Sequence, residues 1–287
     1  MHAVTRFAPS PTGRLHLGHA YSALMAHDFA REREGSFLLR VEDIDPGRVR
    51  TAFVDGIIED MLWLGLEWDD AIVYQSERLE LYAAALERLK ADGLVYPCFC
   101  TRADIAASVS APHGPDPGSA PGAGGPLYPG TCRGLAGPDL SRPHAWRLDM
   151  AAALARTGPL GWTDHGAMVE ARPDLLGDVV LARKDAPASY HLAVTIDDAD
   201  QGVTDVVRGE DLFVSTHVHR LLQALLGLPV PAWHHHGLLT DAGGQRLAKR
   251  HNAPSLADLR DGGMDPAELV VALRRGQMPA GYSLPQA

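Results

Sequence analysis

One segment near the start of the chain restricts the local fold more than any other: residues 6–19, Arg-Phe-Ala-Pro-Ser-Pro-Thr-Gly-Arg-Leu-His-Leu-Gly-His. Two prolines punctuate a turn after an apolar strand entry, and His16 and His19 then open a helix. A turn into a helix N-terminus is typical of an anion site, because free backbone N–H groups and the helix dipole point at the ligand. Gly18 lets a flat base or ribose approach the backbone closely. The segment therefore predicts a nucleotide site at which both imidazoles donate hydrogen bonds to a phosphate.

The residues that follow predict a parallel α/β fold. Residues 20–34 have helical character and stop at Gly35, and residues 36–41 read as an apolar strand followed by the acidic stretch 42–45. Strand, turn, helix and strand make a βαβ unit, which places a nucleotide at the carboxyl ends of parallel strands. The acidic residues would then lie over that site.

The periodicity predicts helices over 51–65, 77–92 and 215–226, and strand-like patterning over 177–212. Between residues 106 and 126 the composition changes to Ala, Pro, Gly and Ser, which bury too little apolar surface to order a segment. We expect a mobile surface loop there. A strand after Pro229 leads to a glycine-rich loop at 243–244.

The length, composition and charge of the chain limit the classes of protein to which it can belong. At 287 residues, with 46% hydrophobic and 22% charged residues, the chain is long enough for one large or two medium globular domains. No run reaches the length of a membrane span and the N-terminus leaves no room for a signal peptide, so a cytoplasmic protein is expected. A net charge of −10 argues against a general nucleic-acid coat but allows a local basic strip, which predicts a confined, salt-sensitive RNA contact. Three cysteines without an export signal do not predict disulfides.

Residues 6–19 resemble the HxGH-type nucleotide loop of class I aminoacyl-tRNA synthetases, and their flank Arg-Phe-Ala-Pro-Ser-Pro-Thr-Gly resembles the glutamate-specific branch. The later stretch 246–250, Arg-Leu-Ala-Lys-Arg, resembles the mobile KMSKS loop of the same class, with arginine in place of the first lysine and alanine in place of the serine. The resemblance implies an α/β fold with a Rossmann-type parallel sheet, and ATP bound with Mg²⁺. It assigns ATP binding to His16, Gly18, His19 and Lys249, and catalysis to His16, His19, Arg246 and Lys249. Cations in this loop would neutralise the pyrophosphate leaving group.

The resemblance also implies a pocket for the amino acid. The residues at the positions of the family's glutamate-binding residues are Arg6, Ala8, Ser10, Glu42, Tyr190 and Arg208. Arg6 and Arg208 would bind the carboxylates of the substrate through their planar guanidinium forks. Ser10 and Glu42 would hold the α-amino group, and Tyr190 would form a wall of the pocket. Arg208 favours glutamate over glutamine, because a neutral amide would leave a desolvated cation unpaired.

The cysteine spacing predicts a metal site. Cys98-Phe-Cys100 supplies two thiolates in a tight turn, and Cys132 supplies a third. The set resembles the Cys-x-Cys and Tyr-x-x-x-Cys pattern of short glutamyl-queuosine synthetases, which implies one structural zinc with Tyr128 as the fourth ligand. A water molecule or His113 is the alternative fourth ligand.

Three consecutive histidines, residues 234–236, do not predict a second metal site. Neighbouring residues of a strand point to opposite faces, so three of them cannot easily share one ion. We interpret them as part of the strand that leads into the cation-bearing loop.

The resemblance sets the expected domain organisation. Residues 1–96 and 177–240 would form the two halves of a Rossmann catalytic domain, and residues 97–176 an inserted zinc-bearing, acceptor-like subdomain. Residues 241–287 would carry the KMSKS-like loop and a short helical C-terminal segment, without the anticodon-binding domain of ordinary glutamyl-tRNA synthetases. The short paralogues with this architecture activate glutamate without tRNA and esterify it to queuosine in the anticodon of tRNA(Asp).

The resemblance therefore implies a monomeric ligase that uses ATP, L-glutamate and queuosine-containing tRNA(Asp), with no membrane partner. Two alternatives stay open at the level of the sequence. A truncated glutamyl-tRNA synthetase would charge tRNA(Glu) instead, and transfer to unmodified tRNA(Glu) would support it. A non-catalytic regulator that binds glutamate or its adenylate would fit the altered KMSKS-like loop, and absence of pyrophosphate exchange would support that.

Overall fold

The computed structural model of the chain describes residues 2–109, 127–241, 254–277 and 282–283. The strands of this part are β1 (Val4–Phe7), β2 (Ser36–Val41), β3 (Val73–Tyr74), β4 (Val95–Cys98), β5 (Ala145–Leu148), β6 (Gly161–Asp164), β7 (Ala167–Glu170), β8 (Val180–Ala182), β9 (Asp205–Gly209), β10 (Ala232–His236), β11 (Thr240–Asp241) and β12 (Tyr282–Ser283). Its α-helices are α1 (Leu17–Arg31), α2 (Thr51–Trp63), α3 (Leu79–Ala91), α4 (Arg102–Val109), α5 (Met150–Thr157), α6 (Tyr190–Asp200), α7 (Phe213–Leu226), α8 (Leu256–Asp261) and α9 (Pro266–Arg274). Among these helices, none has both the length and the apolar character needed to cross a membrane.

The chain divides into two compact units. Unit 1 comprises Met1–Glu77, Gly202–Asp211 and Pro231–Ala287, and unit 2 comprises Arg78–Gln201 and Leu212–Val230. The domain boundaries expected from the sequence were placed at its motifs, whereas these two units are defined by their compactness. The expected boundaries stay a prediction.

Unit 1 is built on a parallel sheet. β1 pairs in parallel with β2, with Val4 opposite Ser36, and β2 pairs in parallel with β3. β9 pairs in parallel with β10. The Thr204 N–H, just before β9, donates to the Val4 carbonyl oxygen at 3.0 Å, so β9 lies beside β1. The predicted α/β fold with a parallel sheet is confirmed.

Helix α1 packs on this sheet because its small and apolar side chains recur at helical spacing. Leu17, Ala20 and Leu24 are buried in one core with side chains of the strands. Gly35 allows the return into β2, since a Cβ there would lie 2.2 Å from the Ala3 carbonyl oxygen. The helix begins at Leu17, earlier than the predicted residue 20, because a side-chain cap lies directly before it.

Two C-terminal helices attach to the same unit through charged pairs. Arg260 of α8 donates to Asp60 of α2 at 2.9 Å. Arg274 of α9 makes a bidentate pair with Asp28 of α1, with both N···O distances at 2.7 Å. Leu269, on the inner side of α9, joins the α1 core. Bidentate pairs of this kind fix orientation as well as contact.

Unit 2 combines a small antiparallel sheet with helices. β4, β5 and β8 form this sheet, with Cys98 of β4 opposite Ala145 of β5. The buried Asp197 of α6 accepts from the Tyr82 hydroxyl of α3 at 2.9 Å and from Arg78 Nε at 2.8 Å. α6 is thereby joined to α3, and it also packs against α7.

Two predicted segments differ from the structure. Residues 177–212, predicted to be strand-like, contain β8 and β9 but also the eleven-residue helix α6. A short apolar run such as 192–196 fits either a strand or a buried helix, so periodicity alone could not decide. Residues 106–109, assigned to the surface loop, belong to α4; the rest of the predicted loop lies outside the described residues. Thr101 and Asp104 start that helix by mutual hydrogen bonds of 2.7–3.2 Å.

Candidate active site and metal centre

His16 and His19 lie together at the N-terminus of α1. His16 Nδ1 accepts the Gly18 N–H at 3.1 Å, and His19 Nδ1 accepts the His16 backbone N–H at 3.1 Å. The two ring centroids are 3.8 Å apart, with the planes tilted by 37°. A neutral imidazole whose Nδ1 accepts a hydrogen bond carries its proton on Nε2. Each ring therefore has an Nε2–H donor suited to a phosphate oxygen.

This geometry corrects the expected anion site in one respect. Backbone N–H groups were expected to point at the ligand, yet the Gly18 N–H is bound by His16 Nδ1 and the His19 N–H by the His16 carbonyl at 2.9 Å. Two of the N–H groups at the helix start are therefore used in the turn itself. The donors for an anion are the imidazoles, with the positive end of the helix dipole behind them.

Gly18 is needed for the turn. A Cβ at this position would lie 3.0 Å from His16 Cε1 and 3.1 Å from His16 Nδ1. Such contacts are tighter than ordinary van der Waals contact, so a side chain here would displace the capping imidazole. The predicted role of Gly18 in ligand approach stays a prediction.

Two of the acidic residues after β2 hold turns. Asp43 accepts from the Ser76 N–H at 2.8 Å and from its hydroxyl at 2.6 Å. Asp45 accepts from the Gly47 N–H at 3.2 Å. The expectation that the acidic residues after β2 lie over the nucleotide stays a prediction.

Glu42 lies beside the turn that carries Ala8 and Ser10. Its backbone N–H donates to the Pro9 carbonyl oxygen at 3.0 Å. Its carboxylate lies 3.7 Å from the guanidinium of the buried Arg40. The structure thus brings together three of the six residues that were expected to bind the amino acid.

Arg6 and Arg208 lie on the adjacent strands β1 and β9, and each is only 5% exposed. Arg208 Nε donates to His235 Nε2 at 3.2 Å, across the β9–β10 pair in which these two residues are opposite each other. A neutral His235 with this acceptor carries its proton on Nδ1. Sequence reasoning missed His235 as a partner of Arg208, and only the strand register could have indicated it.

The other two histidines of β10 point elsewhere. His234 Nε2 lies 2.9 Å from an Asp205 carboxylate oxygen, and His236 Nε2 lies 3.0 Å from the Ser22 hydroxyl oxygen. The three consecutive histidines therefore have three different partners, as the alternation of a strand requires.

The predicted cation-bearing loop, with Arg246 and Lys249, lies outside the described residues. The chain that follows it is described and lies against the nucleotide motif. The Leu256 N–H donates to the Leu15 carbonyl oxygen at 2.9 Å, and Ser255 forms an antiparallel bridge with His16. The loop therefore returns to the chain directly beside the histidine cap.

Tyr190, the remaining residue of the expected amino-acid pocket, is the first residue of α6 in unit 2. Its ring lies edge-on to the rings of His191 and His219, with centroids 5.6 and 5.5 Å away. His191 Nδ1 and His219 Nε2 are 3.2 Å apart, so one of them donates to the other. This aromatic contact restrains the tyrosine ring within its own unit.

The three cysteines form a group that could hold a metal. Cys98, Cys100 and Cys132 are free thiols whose sulfur atoms all lie within 4.8 Å of one another. The Sγ atoms of Cys100 and Cys132 are 3.6 Å apart, and the Tyr128 hydroxyl oxygen is 3.6 Å from Cys100 Sγ. Ligands of a tetrahedral zinc with Zn–S bonds of about 2.3 Å lie about 3.8 Å apart. The three thiols and the phenol fit such a site in number, spacing and chemistry.

The environment favours ionisation of one thiol. Burial works to raise the pKa of Cys132, but hydrogen bonds from Tyr128 and from the Phe99 backbone outweigh it and bring this pKa to about 7. Burial and the neighbouring Cys132 raise the pKa of Cys100 to about 11. Burial also raises the pKa of the Tyr128 phenol. A divalent cation would replace these protons, because thiolates are the species that bind it.

Unit 2 also carries a row of rings and cations. Trp146 pairs with Pro97 across β4–β5, and side chains alternate along a strand, so its ring points away from the face of Cys98. We define the cation–aromatic row as five residues in contact order: Lys90, Trp146, His144, Phe99 and Arg142. The successive separations are 4.1 Å from the Lys90 Nζ to the Trp146 ring, 5.1 and 5.6 Å between rings, and 5.1 Å from the Arg142 Cζ to the Phe99 ring.

The chain matches the family model described as "tRNA synthetases class I (E and Q), catalytic domain" over residues 2–114 and 154–283. It belongs to this family. Two curated proteins called "Glutamyl-Q tRNA(Asp) synthetase" are close in sequence. The one from Rhodobacter capsulatus is 50% identical over 276 residues, which cover 93% of this chain and 98% of that protein. The one from Symbiobacterium thermophilum is 44% identical, with 92% and 83% covered.

The solved structures agree with this membership of the class I synthetases. A glutamate-tRNA synthetase from Elizabethkingia anophelis superimposes with a TM-score of 0.78 at 25% identity. The match covers 98% of this chain and 63% of the Elizabethkingia chain, so this synthetase spans less than two thirds of that enzyme. A methionyl-tRNA synthetase from Mycobacterium tuberculosis, at 12% identity and a TM-score of 0.56, shares the fold.

Proposed function

We propose that this protein activates L-glutamate with Mg·ATP and transfers the glutamyl group to queuosine in the anticodon of tRNA(Asp). The observation that carries the proposal is the 50% identity with the Rhodobacter protein called "Glutamyl-Q tRNA(Asp) synthetase", 98% of which is covered. The placement of His16, His19 and Arg208 in unit 1 supports this proposal for the first step. We place the reaction in the cytoplasm, where both ATP and tRNA are found, and we propose that the protein acts as a monomer.

In the first step, an oxygen of the glutamate α-carboxylate attacks the α-phosphorus of ATP. A new P–O bond forms, the bond to the β,γ-diphosphate breaks, and its electron pair leaves with pyrophosphate. The Nε2–H groups of His16 and His19 would donate to the phosphate oxygens whose charge grows in this step. Lys249 and Arg246 would neutralise the pyrophosphate, since their loop ends beside His16. Mg²⁺ bound with ATP would supply further charge neutralisation.

The residues proposed for glutamate are those of the resemblance: Arg6, Ala8, Ser10, Glu42, Tyr190 and Arg208. The two cations on adjacent strands, Arg6 and Arg208, support a carboxylate ligand, because the planar fork of a guanidinium can bind a carboxylate through two N–H groups. The position of Glu42 beside Ser10 supports an ammonium ligand, which a carboxylate and a hydroxyl both accept from.

In the second step, a hydroxyl group of queuosine attacks the carbonyl carbon of glutamyl-adenylate. An ester bond forms, the acyl–phosphate bond breaks, and AMP leaves with its electron pair, while the hydroxyl proton passes to solvent or to phosphate. No dedicated base is required, because positioning of the two reactants supplies most of the rate.

The cysteine group is proposed to hold one structural zinc. Cys98, Cys100, Cys132 and Tyr128 would be its ligands, and the metal would hold together the loop ends that these residues occupy. No catalytic step is assigned to the metal.

The cation–aromatic row is proposed to contact the RNA. Unpaired bases stack on aromatic rings, and phosphates bind cations, so a row of three rings with a cation at each end fits a single-stranded loop. A limited surface of this kind agrees with the net charge of −10, which excludes RNA binding over the whole protein.

The proposal is tested by transfer of labelled glutamate to three purified RNAs in the presence of ATP. These are tRNA(Asp) with queuosine, tRNA(Asp) without it, and tRNA(Glu). Label on the queuosine-bearing RNA alone is the expected result. Label on tRNA(Glu) would instead identify the protein as a truncated glutamyl-tRNA synthetase. The names of the relatives do not favour that alternative. Failure of glutamate-dependent pyrophosphate exchange would support the alternative that the protein is a non-catalytic regulator.

A further inference from the structure

We propose that Asp178 is a positioning residue of the metal centre, a buried carboxylate that holds three of its four candidate ligands in place. The inference rests on the proposed zinc set and adds a residue that belongs to no ligand motif. Asp178 lies just before β8 and directly after Gly177, and its side chain is fully buried.

Asp178 is the acceptor for groups from three separate parts of unit 2. Its carboxylate accepts from the Tyr96 hydroxyl, from Arg133 with Nε at 3.0 Å, and from the Met150 N–H at 3.0 Å. Its backbone carbonyl accepts from Arg147 Nη1 at 2.7 Å. A buried carboxylate with this many donors has little freedom, so the donors are held as well.

Two of these donors are close neighbours of cysteine ligands. Tyr96 precedes Cys98 by two residues on β4, so the two side chains point to the same face of the strand. Arg133 directly follows Cys132. A shift of Asp178 would therefore be passed to both thiols through one or two residues of backbone.

The third donor restrains the tyrosine. The guanidinium of Arg147 lies over the Tyr128 ring, with Cζ 3.9 Å from the ring centroid. Arg147 Nε is buried and has no hydrogen-bond partner among the described residues. Within that part of the chain, the contacts that hold this guanidinium are the Asp178 carbonyl and the ring. Removing the carboxylate would loosen the segment that presents this carbonyl.

The charges support the same role. Three thiolates and a phenolate around a divalent cation leave the ligand set negative. The Arg147 guanidinium lies over the Tyr128 ring and offsets part of that charge, and Arg133 follows Cys132 directly in the chain. Asp178 keeps both guanidinium groups in position. Groups around the ligands of a metal commonly contribute 10–100-fold to its affinity.

Asp197 provides a matched control. It is also a buried carboxylate of unit 2, and it also accepts from a tyrosine hydroxyl and an arginine, Tyr82 and Arg78. Asp197 belongs to α6, and these two partners, which belong to α3 and to the residue before it, do not adjoin a cysteine in the chain. Asp178→Asn and Asp197→Asn therefore remove equivalent charges, only one of which is linked to the metal set.

The experiment measures Zn²⁺ affinity of the full-length protein by competition with a chromophoric chelator, together with the absorption spectrum of the Co²⁺-substituted form. Asp178→Asn should lower the affinity roughly 10–100-fold and change the cobalt ligand-field bands. Asp197→Asn should leave both unchanged, even where it lowers thermal stability. Equal losses of affinity in the two variants, or an unchanged affinity and spectrum for Asp178→Asn, would overturn the proposal.

A milder pair of variants covers the case in which Asp178→Asn fails to fold. Arg133 is 42% exposed at its side chain, so Arg133→Gln should fold, and it should lower Zn²⁺ affinity in the same direction. Arg172→Gln removes an arginine of similar exposure that is paired with Asp174 instead, and it should not. Equal Zn²⁺ affinities of the two variants would contradict the positioning role of Asp178. A wild-type protein that binds no Zn²⁺ would overturn the zinc set itself, and glutamate-dependent pyrophosphate exchange would report separately on the proposed function.

Discussion

At the scale of single residues, the helix cap that His16 makes through Nδ1 determines that its neutral ring carries a proton on Nε2. Nδ1 caps helix α1 by accepting the Gly18 N–H, and this leaves the neutral ring with its proton on Nε2. The His16 ring thus caps the helix through Nδ1, and in the proposed reaction it would donate to a phosphate through Nε2. A substitution that keeps the cap but removes Nε2–H can separate the two roles.

His16→Asn is that substitution, since asparagine is among the best helix-capping residues. We predict that it lowers kcat for glutamate-dependent pyrophosphate exchange by roughly 10²–10³-fold, the usual effect of losing one donor to a developing charge. Stability should stay near that of the wild type. His16→Ala should lose a similar amount of activity and, in addition, about 1 kcal/mol of stability from the lost cap. Thermal unfolding measured beside the kinetics decides this, and equal stability of the two variants would contradict the capping role.

Arg208 provides the second prediction at this scale. Arg208→Lys should lower kcat/KM for glutamate roughly 100-fold, about 2.7 kcal/mol of transition-state stabilisation, mostly through KM. The reason is geometric, because a lysine cannot replace a guanidinium that donates to His235 and that we propose to bind a glutamate carboxylate with two donors.

Initial rates over a range of glutamate concentrations measure this effect. Arg183→Lys is the control, since Arg183 is paired with Asp185 near the start of the loop after β8 and is assigned no substrate. A normal KM in Arg208→Lys would remove this residue from the glutamate site.

At the scale of elements, α9 docks on α1 through the bidentate pair between Arg274 and Asp28. Burial works to raise the pKa of Asp28, but hydrogen bonds and charges from His27 and Arg274 outweigh it and hold this pKa at about 2. A carboxyl whose pKa is lower in the folded than in the unfolded state stabilises the fold above its unfolded pKa. That contribution is lost as the pH falls from about 4 towards 2.

Arg274→Gln should therefore destabilise the protein at pH 6 and much less at pH 3. Urea unfolding midpoints of wild type and variant at several pH values check this, with the exposed Arg275→Gln as control. A difference in midpoint that does not depend on pH would show that Arg274 contributes by packing alone.

Some structural features could be predicted from the sequence and others could not. The histidine turn and the cysteine group were predictable, because each is marked by short motifs whose spacing has a chemical meaning, His16 to His19 in one and Cys98 to Cys100 with Tyr128 to Cys132 in the other. Helix α6 was not, since its apolar run is too short to distinguish a helix from a strand. The contacts of Asp178 and of His235 were not either, because they join residues that are distant in the chain and are brought together only by the fold.

At the scale of the whole molecule, the RNA has to bind a protein with a net charge of −10. We predict that Lys90→Gln combined with Arg142→Gln weakens tRNA binding and lowers the slope of log affinity against log salt by about 1.4, since each lost phosphate contact to single-stranded RNA changes the slope by about 0.7.

Filter binding or fluorescence anisotropy at several salt concentrations measures both quantities. The control changes two exposed arginines of the same unit, Arg156→Gln with Arg172→Gln, and should leave the slope unchanged. The same slope in both double variants would remove the cation–aromatic row from the RNA contact.

The central claim is that glutamate reaches a nucleoside of the anticodon, and locating the glutamyl group on the product tests it most directly. The queuosine-bearing tRNA(Asp) is treated with enzyme, ATP and glutamate, cut with a base-specific nuclease, and analysed by mass spectrometry. The account predicts a glutamyl adduct on the anticodon fragment that contains queuosine and an unmodified 3′ end. A glutamyl ester on the 3′-terminal adenosine would contradict it and would make the protein a tRNA-charging enzyme.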